Sequence, residues 1–308
     1  MKKILAMLLA LCLFLQGCNG SFEKEKLLEE PEKEVLKEPV KEVVEEPVLE
    51  PQPLEIPNKA ELVKGAHEIN PDVVGWLYIP GLEDIDSGVC NDGKKNYTYR
   101  NRDVTGKETE KYWIDGAFYT NFRNTFGETA EDLSTNTVIF GCSDLGNSIQ
   151  NSDDDPAGPR FSQLFSFRDP EFARKTPYIY FSTVNENYLW EIFAVFYNDA
   201  EIDGGKMLWY IEPEPKESYQ KLLDTARERS IYNYDVEVTA EDKILTLSTS
   251  TVGFGLDERS RYRYVVMAKL VKETEGLLEK EAALTLNANA PIPDTYKERF
   301  ESYLLGNH

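Results

Sequence analysis

The chain has 308 residues, of which 41% are hydrophobic and 12% aromatic, and its formal net charge is −21. This apolar content is enough for one sizeable core or two small ones. Nucleic-acid phosphates repel so acidic a protein, and we therefore expect no nucleic-acid partner.

Residues 1 to 18 have the features of a lipoprotein-type export signal. Lys2 and Lys3 precede an apolar run from Ile4 to Leu15, which is too short to span a bilayer comfortably. The run ends Leu-Gln-Gly-Cys, and a small residue before Cys18 is similar to a bacterial lipobox. We predict that Cys18 is lipidated and becomes the new N-terminus. The alternatives are an ordinary signal peptide and an uncleaved anchor.

Residues 19 to 57 are predicted to form an extended acidic linker. Glu-Pro recurs every eight residues, at Glu30-Pro31, Glu38-Pro39 and Glu46-Pro47. Proline at this spacing prevents a long helix, and the repelling glutamates favour an extended chain. We interpret the segment as a stalk that lifts a folded domain off the membrane, with a partner-binding role as the alternative.

The folded part is predicted to span residues 58 to 271 and to consist mainly of short strands. A helix is expected over Ala60 to Glu68, and a strand over Val74 to Pro80. Aromatic and β-branched residues predict further strands, and the apolar spacing within Pro215 to Ser230 predicts a helix. Many short strands and few helices indicate a mainly β fold, either a barrel or a sandwich with peripheral helices. Residues 272 to 308 are predicted to form a C-terminal tail.

The cysteine and histidine content argues against a disulfide framework and a zinc site. The cysteines are Cys12, Cys18, Cys90 and Cys142, and the histidines are His67 and His308. After processing, only Cys90 and Cys142 would remain, and the sequence does not decide whether they pair. No Cys/His set has zinc-ligand spacing, and we expect neither metal nor cofactor.

Acidic residues gather between Asp144 and Asp155, where three aspartates are consecutive. Such carboxylates could hold calcium weakly, but they lack the regular alternation of a calcium-binding loop. We therefore predict a solvated acidic loop.

The order of motifs between residues 60 and 271 resembles that of the class B sortases. Two segments are the most specific, namely Asp242 to Ser250 and Arg263 to Lys269. The other matching segments are Asn70–Gly81, Gly116–Asn124, Asn136–Gly141, Phe161–Leu164, Tyr178–Thr183, Trp190–Tyr197, Arg229–Tyr232 and Val236–Thr249. Each segment alone is a weak signal, but the set is specific.

This resemblance implies an eight-stranded β-barrel with peripheral helices on the outer side of a Gram-positive membrane. Enzymes of the family cut a sorting signal in a surface protein and join the new carboxyl end to a cell-wall or pilus amine. They use a cysteine nucleophile, a histidine that protonates the leaving amine, and an arginine that steadies the oxyanion or the substrate.

The resemblance places different residues at two of these three catalytic positions. Ser250 stands at the cysteine position and Cys142 at the histidine position, whereas Arg263 matches the arginine. Arg261, two residues earlier, is a substitute candidate for the arginine. A serine hydroxyl needs a neighbouring general base, and a thiol is a poor replacement for imidazole. His67 and His308 are not placed to serve.

These substitutions lead to three functional hypotheses. The first is a lipid-anchored, catalytically inactive member of the family that binds a sorting-signal-like peptide or a cell-wall or pilus partner. The second is an active transpeptidase or peptidase that uses Ser250, or Cys142 in an inverted role. The third is a surface lipoprotein that keeps only the fold and binds something unrelated.

Overall fold

The computed structural model describes residues 52–95, 97–110, 115–143, 154–199, 216–252 and 262–291. The predicted signal with Cys18, most of the linker, Asp144, Arg261 and His308 lie outside these residues. Within the described ranges, no helix has the length and apolar character needed to cross a membrane.

Eight strands close into a barrel, which confirms the predicted fold. The barrel strands are β1 Val73–Tyr78, β2 Asp86–Cys90, β3 Phe118–Thr120, β4 Asn136–Phe140, β5 Tyr178–Ser182, β6 Asn187–Asp199, β8 Ile244–Ser250 and β9 Tyr262–Leu270. Their order around the barrel is β1-β2-β3-β4-β8-β9-β6-β5, and β5 pairs with β1 to complete it. The pairs β2/β3 and β4/β8 are parallel, and the others are antiparallel. A separate two-stranded sheet pairs β7 Tyr232–Tyr234 with β10 Leu284–Leu286.

Helices surround the barrel, as the sequence predicts. The α-helices are α1 Ala60–Ile69, α2 Pro170–Lys175 and α3 Lys216–Arg229, and a 3₁₀ segment covers Arg160–Arg168. Shorter 3₁₀ turns cover Thr98–Asn101 and Ala130–Asp132. Asn187, from the start of β6, accepts hydrogen bonds from the backbone N–H groups of Lys59 and Ala60 at 2.9 and 3.2 Å. This side chain therefore fastens the beginning of α1 to the barrel.

A bulge in β6, the longest strand, changes which of its residues face the main core. Before the bulge, Trp190 and Ile192 belong to the main core; after the register shift at Ile192/Ala194, Val195 belongs to it. The parity of the inward-facing residues thus changes from even to odd, as one extra residue in a strand requires. On the opposite face, Phe193 and Phe196 pack in a second core with α3. The residues that α3 contributes are Tyr219, Leu222, Leu223 and Ala226.

Parts of the predicted linker and tail are packed against the barrel. The backbone N–H of Leu54 donates to the carbonyl of Leu277 at 2.8 Å, and that of Glu279 donates to Gln52 at 2.8 Å. Leu54 and Ile56 contact the cluster formed by Tyr178, Tyr180 and Leu189. The apolar residues at the end of the Glu/Pro-rich segment are therefore part of a packed surface.

Candidate functional site

Ser250 and Arg263 face one another across two paired strands. Ser250 is the last residue of β8, Arg263 is the second residue of β9, and they are direct partners in the antiparallel register. Directly opposed residues project from the same face of a sheet. Val265 and Met267 share that face with Arg263 and pack in the second core, so the pair lies on the outer face of the barrel.

Cys142 lies beside the end of β8. It follows β4, whose parallel pairing with β8 continues through a bond from the Gly141 N–H to the Ser248 carbonyl at 3.3 Å. The Ser143 hydroxyl donates to the carbonyl of Ser250 at 3.0 Å. The structure thus brings together the three residues that the sequence predicts for the site, namely Cys142, Ser250 and Arg263.

Gly141 allows the chain to pass closely over the core at this point. A Cβ atom there would lie 2.5 Å from the ring of Phe161 and 2.9 Å from that of Phe118. These two rings are stacked with their centroids 4.4 Å apart. A side chain at position 141 would displace both the rings and the backbone that carries Cys142.

Tyr119 and Arg100 belong to the same site, and the sequence analysis assigned neither a role. Tyr119 is 8% exposed, and its ring centroid lies 5.4 Å from that of Phe140. The Nε–H of Arg100 donates to the Tyr119 hydroxyl at 3.1 Å. Burial raises the pKa of Tyr119, while the charges of Arg100 and Arg263 lower it. Tyr119 lies within a family-like motif, but Arg100 carries no signal in the sequence.

Burial keeps the Cys142 thiol protonated. It raises the pKa of Cys142 to about 11, although the nearby charges of Arg100 and Arg160 act in the opposite direction. A catalytic cysteine has the reverse behaviour, with a pKa below its ordinary value. The environment therefore argues against Cys142 as an inverted nucleophile.

Arg160 is a third residue to which the sequence analysis assigned no role. Its backbone has φ of 58°, and it has the only positive φ outside glycine among the described residues. Its guanidinium donates to the carbonyl of Gly116 and lies 4.9 Å from the ring centroid of Phe118. Backbone strain of this kind persists where the surrounding contacts hold the residue in place.

The predicted solvated acidic loop is wrong for Asp154. This residue is 5% exposed, and its carboxylate accepts hydrogen bonds from the Thr251 hydroxyl and from the Val252 N–H, the latter at 2.8 Å. Its carbonyl accepts a bond from Arg168 at 2.7 Å. Asp154 thus holds the backbone that immediately follows Ser250, whereas Asp155 is exposed as predicted. In the described part of the chain, no group of His, Cys, Asp or Glu could hold a metal ion.

Among the described residues, no histidine is hydrogen-bonded to the Ser250 hydroxyl. His67 lies on α1, where its Nδ1–H donates to the Val73 carbonyl at 2.8 Å. Within the same ranges, the only hydrogen bond of Ser250 outside the strand ladder is the one its carbonyl accepts from Ser143. The hydroxyl therefore has no general base in the described structure.

Cys90 and Cys142 do not form a disulfide. Both are free thiols; Cys90 is fully buried and Cys142 half-buried. Cys90 ends β2, and β3 lies between that strand and β4. Burial, together with the charge of Asp72, raises the pKa of Cys90 far above its ordinary value.

Comparison with known proteins gives one consistent family. No family model matches the chain. Sortase B of Staphylococcus aureus is 28% identical over 207 residues, which cover 67% of this chain and 72% of that protein. Sortase B of Listeria monocytogenes is 28% identical over 215 residues, which cover 68% and 74%.

Solved structures agree with these relatives. The S. aureus sortase B–substrate complex has a TM-score of 0.54 at 25% identity, covering 69% of this chain and 86% of the other. A cysteine-to-serine mutant of Clostridium perfringens sortase B has a TM-score of 0.54 at 26% identity, covering 70% and 88%. The fold is that of the sortases. In sequence and in structure the chain is similar to the class B sortases.

Proposed function

We propose that this sortase-family protein binds a sorting-signal-like peptide without cutting it. One observation carries the proposal: the hydroxyl of Ser250, at the family's nucleophile position, has no hydrogen-bonding partner among the described residues. A neutral hydroxyl attacks an amide only when a base removes its proton. The S. aureus sortase B was solved with substrate, and another sortase B structure contains triglycine, which supports a peptide as the ligand class.

The neighbouring thiol does not supply the missing chemistry. With a pKa of about 11, Cys142 is almost entirely protonated at neutral pH. It lacks the paired donor and acceptor that imidazole uses to move a proton between nucleophile and leaving group. Arg263 can still bind a carbonyl or carboxylate oxygen, because binding needs only its fixed donors and its charge.

The site would work at the outer face of the plasma membrane. The predicted signal and Cys18 support export and lipid anchoring, and the family relatives support a cell-surface setting. In that position the protein would hold a peptide near a cell-wall or pilus component, or act beside an active sortase.

The experiment is a test for turnover with the full-length protein purified in detergent. It is incubated with a library of sorting-signal peptides and an amine acceptor, and the mixture is analysed by mass spectrometry. We expect peptide binding but neither cleavage nor a covalent adduct. Turnover that is lost in Ser250→Ala or Cys142→Ala would establish the alternative function, an active transpeptidase.

A double reversion tests whether only the two catalytic groups are missing. We expect Cys142→His combined with Ser250→Cys to gain peptide cleavage, since Arg263 already lies across from position 250. Ser250→Cys alone is the matched control and should stay inactive, because no imidazole is then present to protonate the leaving amine. If the double variant binds no peptide and cleaves none, the groove itself has changed, and the protein keeps only the fold.

A further inference from the structure

Positive charge is concentrated at the candidate site, although the whole chain carries a net charge of −21. Arg263 is the register partner of Ser250 across β8 and β9. Arg100 donates a hydrogen bond to the Tyr119 hydroxyl. The charges of both arginines act on the Tyr119 hydroxyl, and Arg100 also acts on Arg263. The two guanidinium groups are partly buried and carry like charges, and a bound anion would offset their repulsion.

Two hydroxyl groups at the same place have hydrogens to donate. The Tyr119 oxygen accepts the Nε–H of Arg100, so its own hydrogen is available for another acceptor. No described residue accepts that hydrogen, even though the Tyr119 side chain is nine-tenths buried. The hydroxyl of Ser250, which is half-buried, also has no acceptor among the described residues. A buried donor without an acceptor is costly, and a ligand oxygen would satisfy it.

We propose that the site recognises a carboxylate of its peptide ligand, held by Arg263 and Arg100 and by the hydroxyls of Tyr119 and Ser250. The inference rests on the proposed function and specifies its ligand. A carboxylate has two oxygens in one plane, which match the fork of a guanidinium and leave lone pairs for the hydroxyls. A serine in place of a thiol suits this task, because a hydroxyl is the better hydrogen-bond donor.

The carboxylate could be the α-carboxylate of a cleaved chain end or an acidic side chain, and three probes distinguish them. The probes are acetyl-pentaalanine as the free acid, the same peptide as the amide, and an amidated peptide with glutamate as its last residue. Binding to the full-length protein in detergent is measured by calorimetry and by NMR at two salt concentrations. We expect one of the two carboxylate probes to bind at least tenfold more tightly than the neutral amide, with an affinity that falls as salt rises.

Variants connect the preference to the proposed groups. Tyr119→Phe keeps the ring and removes only the hydroxyl, and Arg263→Gln removes the charge; both should reduce the preference for carboxylate at least fivefold. Arg174→Gln, at an exposed position on α2, is the matched control and should leave it unchanged. Thermal unfolding of each variant separates loss of binding from loss of fold.

The inference and the proposed function fail in different ways. The carboxylate inference is overturned if the acid and amide probes bind equally well, or if no probe binds. In either case the sorting-signal library still decides whether the protein binds peptide without turnover. Cleavage of a library peptide overturns the proposed function, whereas the three probes still decide the carboxylate preference. A preference that persists in both Tyr119→Phe and Arg263→Gln also overturns the inference.

Discussion

At the scale of single residues, Cys142 separates the inactive and active hypotheses most clearly. A nucleophile or an acid–base group at this position needs a pKa near the working pH. Burial moves the pKa of Cys142 in the opposite direction, to about 11, despite two nearby arginines. The sequence alone indicates only a thiol near Arg263, and the charge of an arginine by itself lowers the pKa of a thiol.

Slow alkylation of Cys142 is therefore expected. With a pKa about two units above its ordinary value, the thiol should react with iodoacetamide roughly a hundredfold more slowly than a free cysteine at pH 8. The rate should rise through pH 9 to 11, and mass spectrometry of the modified peptide measures it. Cys90, fully buried, is an internal control that should react only after unfolding. Fast labelling of Cys142 at neutral pH would support an inverted nucleophile.

The same shift in pKa makes folding sensitive to alkaline pH. The thiol has a pKa of 9.0 in an unstructured chain and about 11 in the folded protein. The unfolded state therefore releases its proton first, so the contribution of Cys142 to stability is complete below about pH 9 and is lost as the pH rises to about 11.

At the scale of elements, two side chains from outside β8 support its end. The Ser143 hydroxyl donates to the carbonyl of Ser250, and the carboxylate of Asp154 accepts from the Thr251 hydroxyl and the Val252 N–H. Ser143 and Asp154 thus hold the backbone at and after Ser250. The resemblance to the family aligns Ser250 with the nucleophile, but it says nothing of this support, because Asp154 lies in a loop without a motif.

Loss of the Asp154 carboxylate should destabilise the domain. In Asp154→Ala, the buried Thr251 hydroxyl and Val252 N–H lose their acceptors, and we expect a loss of about 3 kcal/mol in the free energy of unfolding. Asp154→Asn keeps the shape and one acceptor, so about 1 kcal/mol is expected. Urea denaturation measures both changes. Asp155→Ala, at an exposed neighbouring position, should change stability by less than about 0.5 kcal/mol. If Asp154→Ala and Asp155→Ala lowered the free energy of unfolding equally, Asp154 would not stabilise the backbone after Ser250.

At the scale of the whole molecule, the N-terminal segment is predicted to determine where the site operates. The first 18 residues predict export, and the Glu/Pro-rich segment predicts a spacer between membrane and barrel. The folded body includes residues before the predicted boundary, because Leu54 and Ile56 pack on the barrel. The predicted spacer would therefore be shorter than residues 19 to 57.

Lipid anchoring is expected to depend on Cys18. In a Gram-positive host, the wild-type protein should incorporate a labelled fatty acid and begin at Cys18 after processing. Cys18→Ala should lose the label, because the acylated thiol is gone. Cys12→Ala is the control and should still be labelled. Cleavage at another residue without any label would indicate an ordinary signal peptide instead.

The sequence by itself determined a mainly β fold of short strands, and its resemblance to a known family implied the eight-stranded barrel and the three candidate site residues. The structure then showed that Ser250 is paired with Arg263 on the outer face of the barrel. The tertiary structure alone decided that Arg100 and Tyr119 join this pair, that Asp154 is buried, and that the Cys142 thiol stays protonated. The physical reason is that strand periodicity is local. Burial, by contrast, and the electric field at a side chain depend on residues many tens of positions away.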